Sequence, residues 1–450
     1  MSERSIILEN EKISRLLINL SLPATVGMIV NALYNIVDAI FIGRGVGTLA
    51  IGGLAVVFPI QVIIMGFSQM IGIGAASTVS RSLGSKDDKR ADKAVGNAYF
   101  AVIVISLVIT LFGLIFIDNL LLFFGATQTI LPYAKDYMSI ILLGSIFSMF
   151  AVCSNNLVRS EGNAKVAMFT MIIGTGLNII LDPILIFIFK LGIKGAAIAT
   201  VISQFASFIF IIKYLYSGKS SLNVKFHNMK PDKEILSEIF TVGFSAFVRQ
   251  VGGSIVAIVL NNSLKLYGGD VAISTFGIVN RITMFLFMPL FGIIQGMQPI
   301  AGFNYGARRV DRVQEVVRLS IISTTAMATF GVIIGQLFPQ AIMTVFTQDD
   351  TLIKDGSTVL RIVIAMVPIV GFQVVGAALF QSLGKAVPSI ILSLLRQIIF
   401  LIPLVLTLPR IFGLTGIWIS FPIADLLSTI VTSVLLKNEM KKISAEPRQI

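Results

Sequence analysis

Two aspartates, an asparagine and a threonine stand where polar side chains are costly. Asp38 lies in "NIVDAIFIG", Asn178 and Asp182 lie in "LNIILDPILIFIF", and Thr200 closes "GAAIAT". Each sits within or beside a long apolar run. An ionisable group at bilayer depth costs at least a few kcal/mol, which makes it a functional candidate by default. Two carboxylates in one poorly solvated site raise each other's affinity for a proton. With amide and hydroxyl oxygens beside them, the same groups can hold Na+ instead. The chemistry these residue types permit is the capture and release of a small cation, H+ or Na+, and they leave the choice between the two open.

Spacing places the four in one layer. Asp38 precedes Arg44 by six residues, Asp182 precedes Lys190 by eight, and Thr200 follows Lys194 by six. At 1.5 Å per helical residue all three lie roughly 9–12 Å inside one boundary. Asn178 is one turn deeper than Asp182 on the same helix face. A very short turn joins the two helices that carry Asp182 and Thr200, so these helices are neighbours. Tyr34, one turn before Asp38, is placed to orient that carboxylate or to touch a substrate. Pro23 and Pro183 each remove a backbone donor and can bend their helices.

A third buried acid, Asp425, has Arg249, Arg281 and Arg396 in nearby apolar runs. An ion pair with Arg396 or Arg281 that holds the second half together is the expected role. His227 falls in a polar loop, and the single cysteine, Cys153, excludes an internal disulfide framework. No Walker-type loop, metal-spaced Cys/His cluster or nucleophile elbow is present. ATP drive within the chain, a resident cofactor and membrane-embedded enzymatic chemistry are therefore not expected.

The elements that position these groups are membrane helices. Of 450 residues, 55% are hydrophobic and 13% charged, against about 25% charged in soluble domains. The apolar residues form runs of about 20, enough to cross a hydrocarbon core of roughly 30 Å. Twelve spans are expected, near 14–41, 53–82, 94–117, 132–157, 166–189, 194–216, 235–263, 272–303, 314–337, 358–381, 387–408 and 414–436. No removable signal peptide is expected ahead of the first. Most of the 35 lysines and arginines fall on one side, among them Lys86, Arg90, Lys93, Lys230 and Arg312. By the positive-inside rule both termini are cytoplasmic in a multi-pass cell-membrane protein. The net charge of +12 then reports orientation and not nucleic-acid binding.

The chain repeats. "LGSKDDKRADKAV" (83–95) aligns with "YGARRVDRVQEVV" (305–317), and "RSEGNA" (159–164) with "QSLGKA" (381–386), both at an offset of 222. "LGIKGAAIA" (191–199) aligns with "FGLTGIWIS" (412–420) at 221. The fold class this predicts is an all-α polytopic membrane protein. Its twelve helices form two six-helix lobes related by a pseudo-two-fold axis along the membrane normal. The N-terminal lobe covers 1–216, a cytoplasmic linker 217–234, and the C-terminal lobe 235–450. The repeat positions of Asp38, Asn178 and Asp182 are Leu260, Phe400 and Leu404, so the polar layer belongs to the first half alone.

"LSLPA" (20–24), "VDAIFIGRGVGTLAIGGL" (37–54), "SRSLGSKD" (80–87), "GLNIILDPILIF" (176–187) and "GAAIAT" (195–200) together resemble the multidrug and toxic compound extrusion (MATE) family over nearly the whole chain. The resemblance implies an antiporter that expels organic cations against an H+ or Na+ gradient and works as a monomer in the lipid bilayer. It also implies an ion site at Asp38, Asn178, Asp182 and Thr200, with Ala196 adding a backbone carbonyl. The alternative is a lipid-linked precursor flippase of the same architecture, with Arg249, Arg281 and Arg396 gripping a pyrophosphate.

Overall fold

The computed structural model describes residues 3–445, which are helical almost throughout with no strand among them. The Arg44 side chain, used above to gauge depth, lies outside what is described. A short helix α1 (Glu3–Asn10) leads into α2 (Ile13–Gly45), α3 (Thr48–Gly84) and α4 (Asp88–Ile115), followed by the small α5 (Ile117–Phe123). Then come α6 (Leu131–Ser160), α7 (Ala164–Pro183) and α8 (Gly192–Leu215). The second half opens with α9 (Lys233–Gly306) and α10 (Val310–Leu337). It continues through α11 (Pro339–Thr344), α12 (Asp350–Ile364), α13 (Val367–Ser382), α14 (Ala386–Leu394), α15 (Ile402–Thr407), α16 (Pro409–Phe412) and α17 (Leu414–Ala445).

Among the described residues ten helices are long and apolar enough to cross a membrane, and α12 with α13, bent by 47°, makes an eleventh. Helix α9 runs to 74 residues, about 110 Å at 1.5 Å per residue and far longer than one crossing. It breaks at Gly269, whose φ of 63° and ψ of −158° are non-helical and open mainly to glycine. The halves 233–268 and 270–306 are separate crossings, which brings the number to twelve.

Pro183 ends α7 in a wide turn, Ile184–Ile188, where Phe189 N–H reaches the Ile184 carbonyl at 3.0 Å, five residues back. A second wide turn, Leu395–Leu401, interrupts the eleventh crossing between α14 and α15. It is not at the repeat position of the first. Pro23, by contrast, is buried inside a continuous α2.

The duplication is visible in the backbone. Left-handed residues recur at one spacing: Gly47 and Gly269, Lys86 and Arg308, Gly162 and Gly384 are each 222 apart, and Gly192 and Gly413 are 221 apart. The turns that reverse the chain are thus in the same places in both halves.

The halves meet along α2, α3 and both parts of α9. Near the basic face the seam is polar as well as tight. Ser77 Oγ donates to the Gln381 carbonyl at 2.5 Å, and Gln381 Nε2 donates to Ser245 Oγ at 2.8 Å. Arg90 reaches Glu234 at 3.1 Å and Glu238 at 2.9 Å, at the start of α9. Its repeat counterpart Arg312 reaches the other way, donating to the carbonyls of Leu8 at 3.1 Å and Glu11 at 2.7 Å, just before α2. The linker between the halves is tied down by Asn97, which donates to the Asn228 carbonyl at 3.3 Å and accepts from Asp232 N–H at 2.8 Å. His227 lies in a short turn of this linker, Phe226–Met229.

Candidate functional site

In the first half, α2, α3, α6, α7 and α8 surround a cavity of about 300 Å3, which Gln295 of α9 also touches. That volume is at the lower end of small-molecule sites. Its wall mixes methionines (Met28, Met65, Met171) with amides (Asn31, Gln69, Asn155, Gln204). Flexible thioethers pack against varied apolar surfaces, and amides supply either hydrogen-bonding sense.

Tyr34, Asn178 and Thr200 line one end of this cavity. Asp182 is fully buried and Asn178 nearly so. With its amide nitrogen toward Asp182, Asn178 donates to Oδ2 at 2.8 Å and accepts from Thr200 N–H at 3.1 Å. The carboxyl groups of Asp38 and Asp182 lie within hydrogen-bonding reach of each other. One oxygen of each, Asp38 Oδ1 and Asp182 Oδ1, is buried without a protein partner. Two carboxyls at that separation hold a proton between them, or their free oxygens meet a cation. The donor set of two carboxylates, an amide and a hydroxyl suits either ion.

The structure therefore brings Asp38, Asn178, Asp182, Thr200 and Tyr34 together. The Ala196 carbonyl is close as well, but it accepts the Thr200 hydroxyl at 3.0 Å. That hydroxyl still has lone pairs to offer an ion. Pro23 lies away from this layer, roughly four helical turns before Asp38 on α2. Sequence reasoning missed Tyr137, a buried α6 residue whose hydroxyl reaches Thr200 and Gln61. It also missed Arg159, which forms part of the far end of the cavity wall and donates to Asn156 Oδ1 at 2.9 Å and to Gln295 across the seam. Nothing in the spacing marks Tyr137. Arg159 is legible as the repeat partner of Gln381, another seam residue.

In the second half the equivalent layer is apolar, with Leu260 buried and Phe400 and Leu404 packed in the core. Asp425 pairs with Arg396, Nε to Oδ1 at 2.5 Å, and the guanidinium lies 5.1 Å from the ring centre of Phe287. Arg281 is not part of this pair. Its side chain is exposed and has no ion-pair partner among the described residues. The expectation for Arg281 is corrected: Asp425 is buried with Arg396 as its partner, and Arg281 lies on an exposed part of α9.

A two-lobed bundle of twelve membrane helices with a cavity in one lobe is the architecture of a secondary transporter. The comparisons give the family. The MatE family profile matches residues 23–184 and again 245–407, and the chain belongs to that family. The multidrug export protein MepA of Staphylococcus aureus (strain N315) is 28% identical over 428 residues, covering 95% of this chain and 94% of that one. A MATE crystal structure in complex with MaL6 superposes with a TM-score of 0.94 at 26% identity, covering 99% of this chain and 100% of the other. A multidrug resistance MATE transporter in an outward-facing conformation gives 0.93 at 26% identity, covering 99% of each.

Proposed function

We propose that this protein is a secondary antiporter that exports organic compounds, chiefly lipophilic cations, in exchange for H+ or Na+. It works in the cell membrane with both chain ends in the cytoplasm, the side on which its lysines and arginines concentrate. The observation that carries the reading is the Asp38–Asp182 pair beside Tyr34, Asn178 and Thr200 at one end of a 300 Å3 cavity. The name of the S. aureus relative, multidrug export protein, agrees with it.

Asn178 ties the pair to the cavity wall: its amide nitrogen donates to Asp182 Oδ2 at 2.8 Å and its oxygen accepts from Thr200 N–H at 3.1 Å. A proton or cation taken up at Asp182 changes that contact at the cavity wall. Ion and substrate acting through that wall lower each other's affinity by the same factor. Ion entry at Asp38 and Asp182 then drives substrate release.

The test is transport in inverted vesicles and in proteoliposomes with H+ and Na+ gradients imposed separately. Asp38→Asn and Asp182→Asn are expected to abolish gradient-driven efflux while the proteins still express and insert. Normal gradient-driven efflux in either variant would sink the assignment.

A further inference from the structure

The second lobe contains a polar cluster that the ion site does not use. Four of its buried oxygens have no protein partner: Gln373 Oε1, Ser393 Oγ, Gln397 Oε1 and Asp425 Oδ2. They come from three neighbouring crossings. Ser389 Oγ donates to the Ala377 carbonyl at 3.4 Å, and one turn further along these antiparallel helices Ser393 faces Gln373. Arg396, next to Gln397, is held by Asp425. A buried oxygen left unpaired is costly, and four in one region mark a place built for something besides the fold.

The repeat shows which way these side chains face. At the offset of 222, Gln373, Ser393, Arg396 and Gln397 correspond to Ala151, Met171, Gly174 and Thr175, and at 221 Asp425 corresponds to Gln204. All five of those first-half residues line the 300 Å3 cavity. The cluster is therefore the second lobe's counterpart of that cavity wall, with polar groups in place of Met171, Ala151 and Gly174.

Arg249 completes it. In the first half Gly27 approaches Met171, and the equivalent pair is Arg249 and Ser393. One turn on, a Cβ at Gly252 would lie 3.6 Å from Gln397 Oε1, while beside Gly253 there is open space. Arg249 is partly buried, about 24 Å along its helix from Lys233, and has no hydrogen-bond or ion-pair partner among the described residues. Arg396 is taken by Asp425, which leaves Arg249 as the partly buried charge without a counter-ion among the described residues. An arginine at that depth needs an anion, and its planar fork matches the two oxygens of a carboxylate.

We infer that the second lobe carries an anion subsite, centred on Arg249, that takes the acidic group of the transported compound. The first-lobe carboxyls take the coupling cation. The inference rests on the exporter reading and narrows its substrates to include compounds that carry both a cationic ring system and a carboxylate. The Ser393 hydroxyl and the Nε2 groups of Gln373 and Gln397, turned so that nitrogen and not oxygen faces that group, donate to it.

The test uses the purified full-length protein and two dyes of one ring system, a zwitterionic rhodamine with a free carboxylate and its ethyl ester. Binding is measured by fluorescence anisotropy and uptake in proteoliposomes. The ratio of acid to ester affinity is expected to fall roughly thirtyfold in Arg249→Gln, the loss typical of removing one partner from a desolvated charge pair. Arg249→Lys, which keeps the charge without the fork, is expected to restore part of the ratio. An unchanged ratio in monodisperse Arg249→Gln overturns the inference while the exporter reading stands. Chloride tightening ester binding through Arg249 also overturns it, by assigning the site to a free inorganic anion. Wild-type protein that binds the ester no less tightly than the acid also overturns the inference, whereas the exporter reading falls only on the Asp38 and Asp182 transport test.

Discussion

Gly84 lies against the backbone carbonyl of Phe303 so closely that a Cβ could not fit. The contact has a twin. Gly306, the repeat counterpart of Gly84, lies against the carbonyl of Arg81, the repeat counterpart of Phe303. Residue i of one half meets j of the other and the reverse also holds, as in an interface with a two-fold axis. Ser80 and Gly302, likewise repeat counterparts, touch each other near that axis. The pseudo-symmetry inferred from sequence is thus a property of the seam itself.

Closure of the basic face depends on those glycines. Gly84→Leu is expected to wedge the lobes apart there. A cysteine replacing Ser80, which is 2% exposed, should then react with a water-soluble maleimide at least several-fold faster than in the Gly84 background. Native Cys153 is fully buried and contributes no background. Equal labelling in both backgrounds would show that the lobes do not close on this contact.

Competition between ion and substrate sets the sign of the pH dependence. If a proton on the Asp38–Asp182 pair disfavours substrate, then substrate binds more tightly as pH rises, by up to about tenfold per unit for one proton. Equilibrium binding across pH at fixed Na+, and across Na+ at fixed pH, separates the two ions: the coupling ion gives the slope and the other gives none. Asp182→Asn should flatten the slope. A wild-type affinity that neither ion moves would contradict coupling at this site.

Much of the fold is legible in the sequence because membrane spans and duplication leave strong signals. Apolar runs mark the crossings, and the constant offset marks the lobes. Asp182, Asn178 and Thr200 can be placed together because one short turn joins their helices and the residues share a depth. Tyr137 cannot, since its helix reaches the site only through tertiary packing, and a lone tyrosine on a membrane helix is common. Arg281 is misplaced by sequence reasoning because charge and proximity along the chain do not reveal which face of a helix a residue occupies. The wide turn at Leu395–Leu401 leaves no mark either, because no proline lies within it.

Asp425 and Arg396 make a pair whose partners are not equally exposed: the carboxylate is 1% exposed and the guanidinium 25%. Removing one member of such a pair leaves the other uncompensated and typically costs about 3–5 kcal/mol. Arg396→Gln is expected to lower the melting temperature in detergent clearly, and the double variant Arg396→Met with Asp425→Leu to recover most of the loss. Arg281→Gln should leave the melting temperature nearly unchanged, since Arg281 is exposed and pairs with no acid among the described residues. A large loss in Arg281→Gln, or a double variant worse than either single one, would overturn this account of the second lobe.

Glu161 ties the linker to the first lobe from a loop just outside the membrane. Its carboxyl accepts from Ser220 Oγ at 2.9 Å, from Ser221 N–H at 2.6 Å and from Tyr214 Oη at 2.5 Å. Burial pushes its pKa above the ordinary 4.5, although these hydrogen bonds and the nearby Arg4 oppose the shift. A raised folded-state value means that the group's contribution to stability is fully present below the unfolded value. It is lost as pH rises through the folded value. Glu161→Gln keeps an acceptor for Ser221 without the buried charge, so its melting temperature should vary less with pH above 4.5 than that of the wild type. Glu161→Ala, which leaves the Ser221 N–H and the Tyr214 hydroxyl without this acceptor, should be destabilised at every pH by about 1–3 kcal/mol. Its linker should also be cut faster by protease. Identical pH profiles for wild type and Glu161→Gln would show that the carboxyl does not titrate with folding.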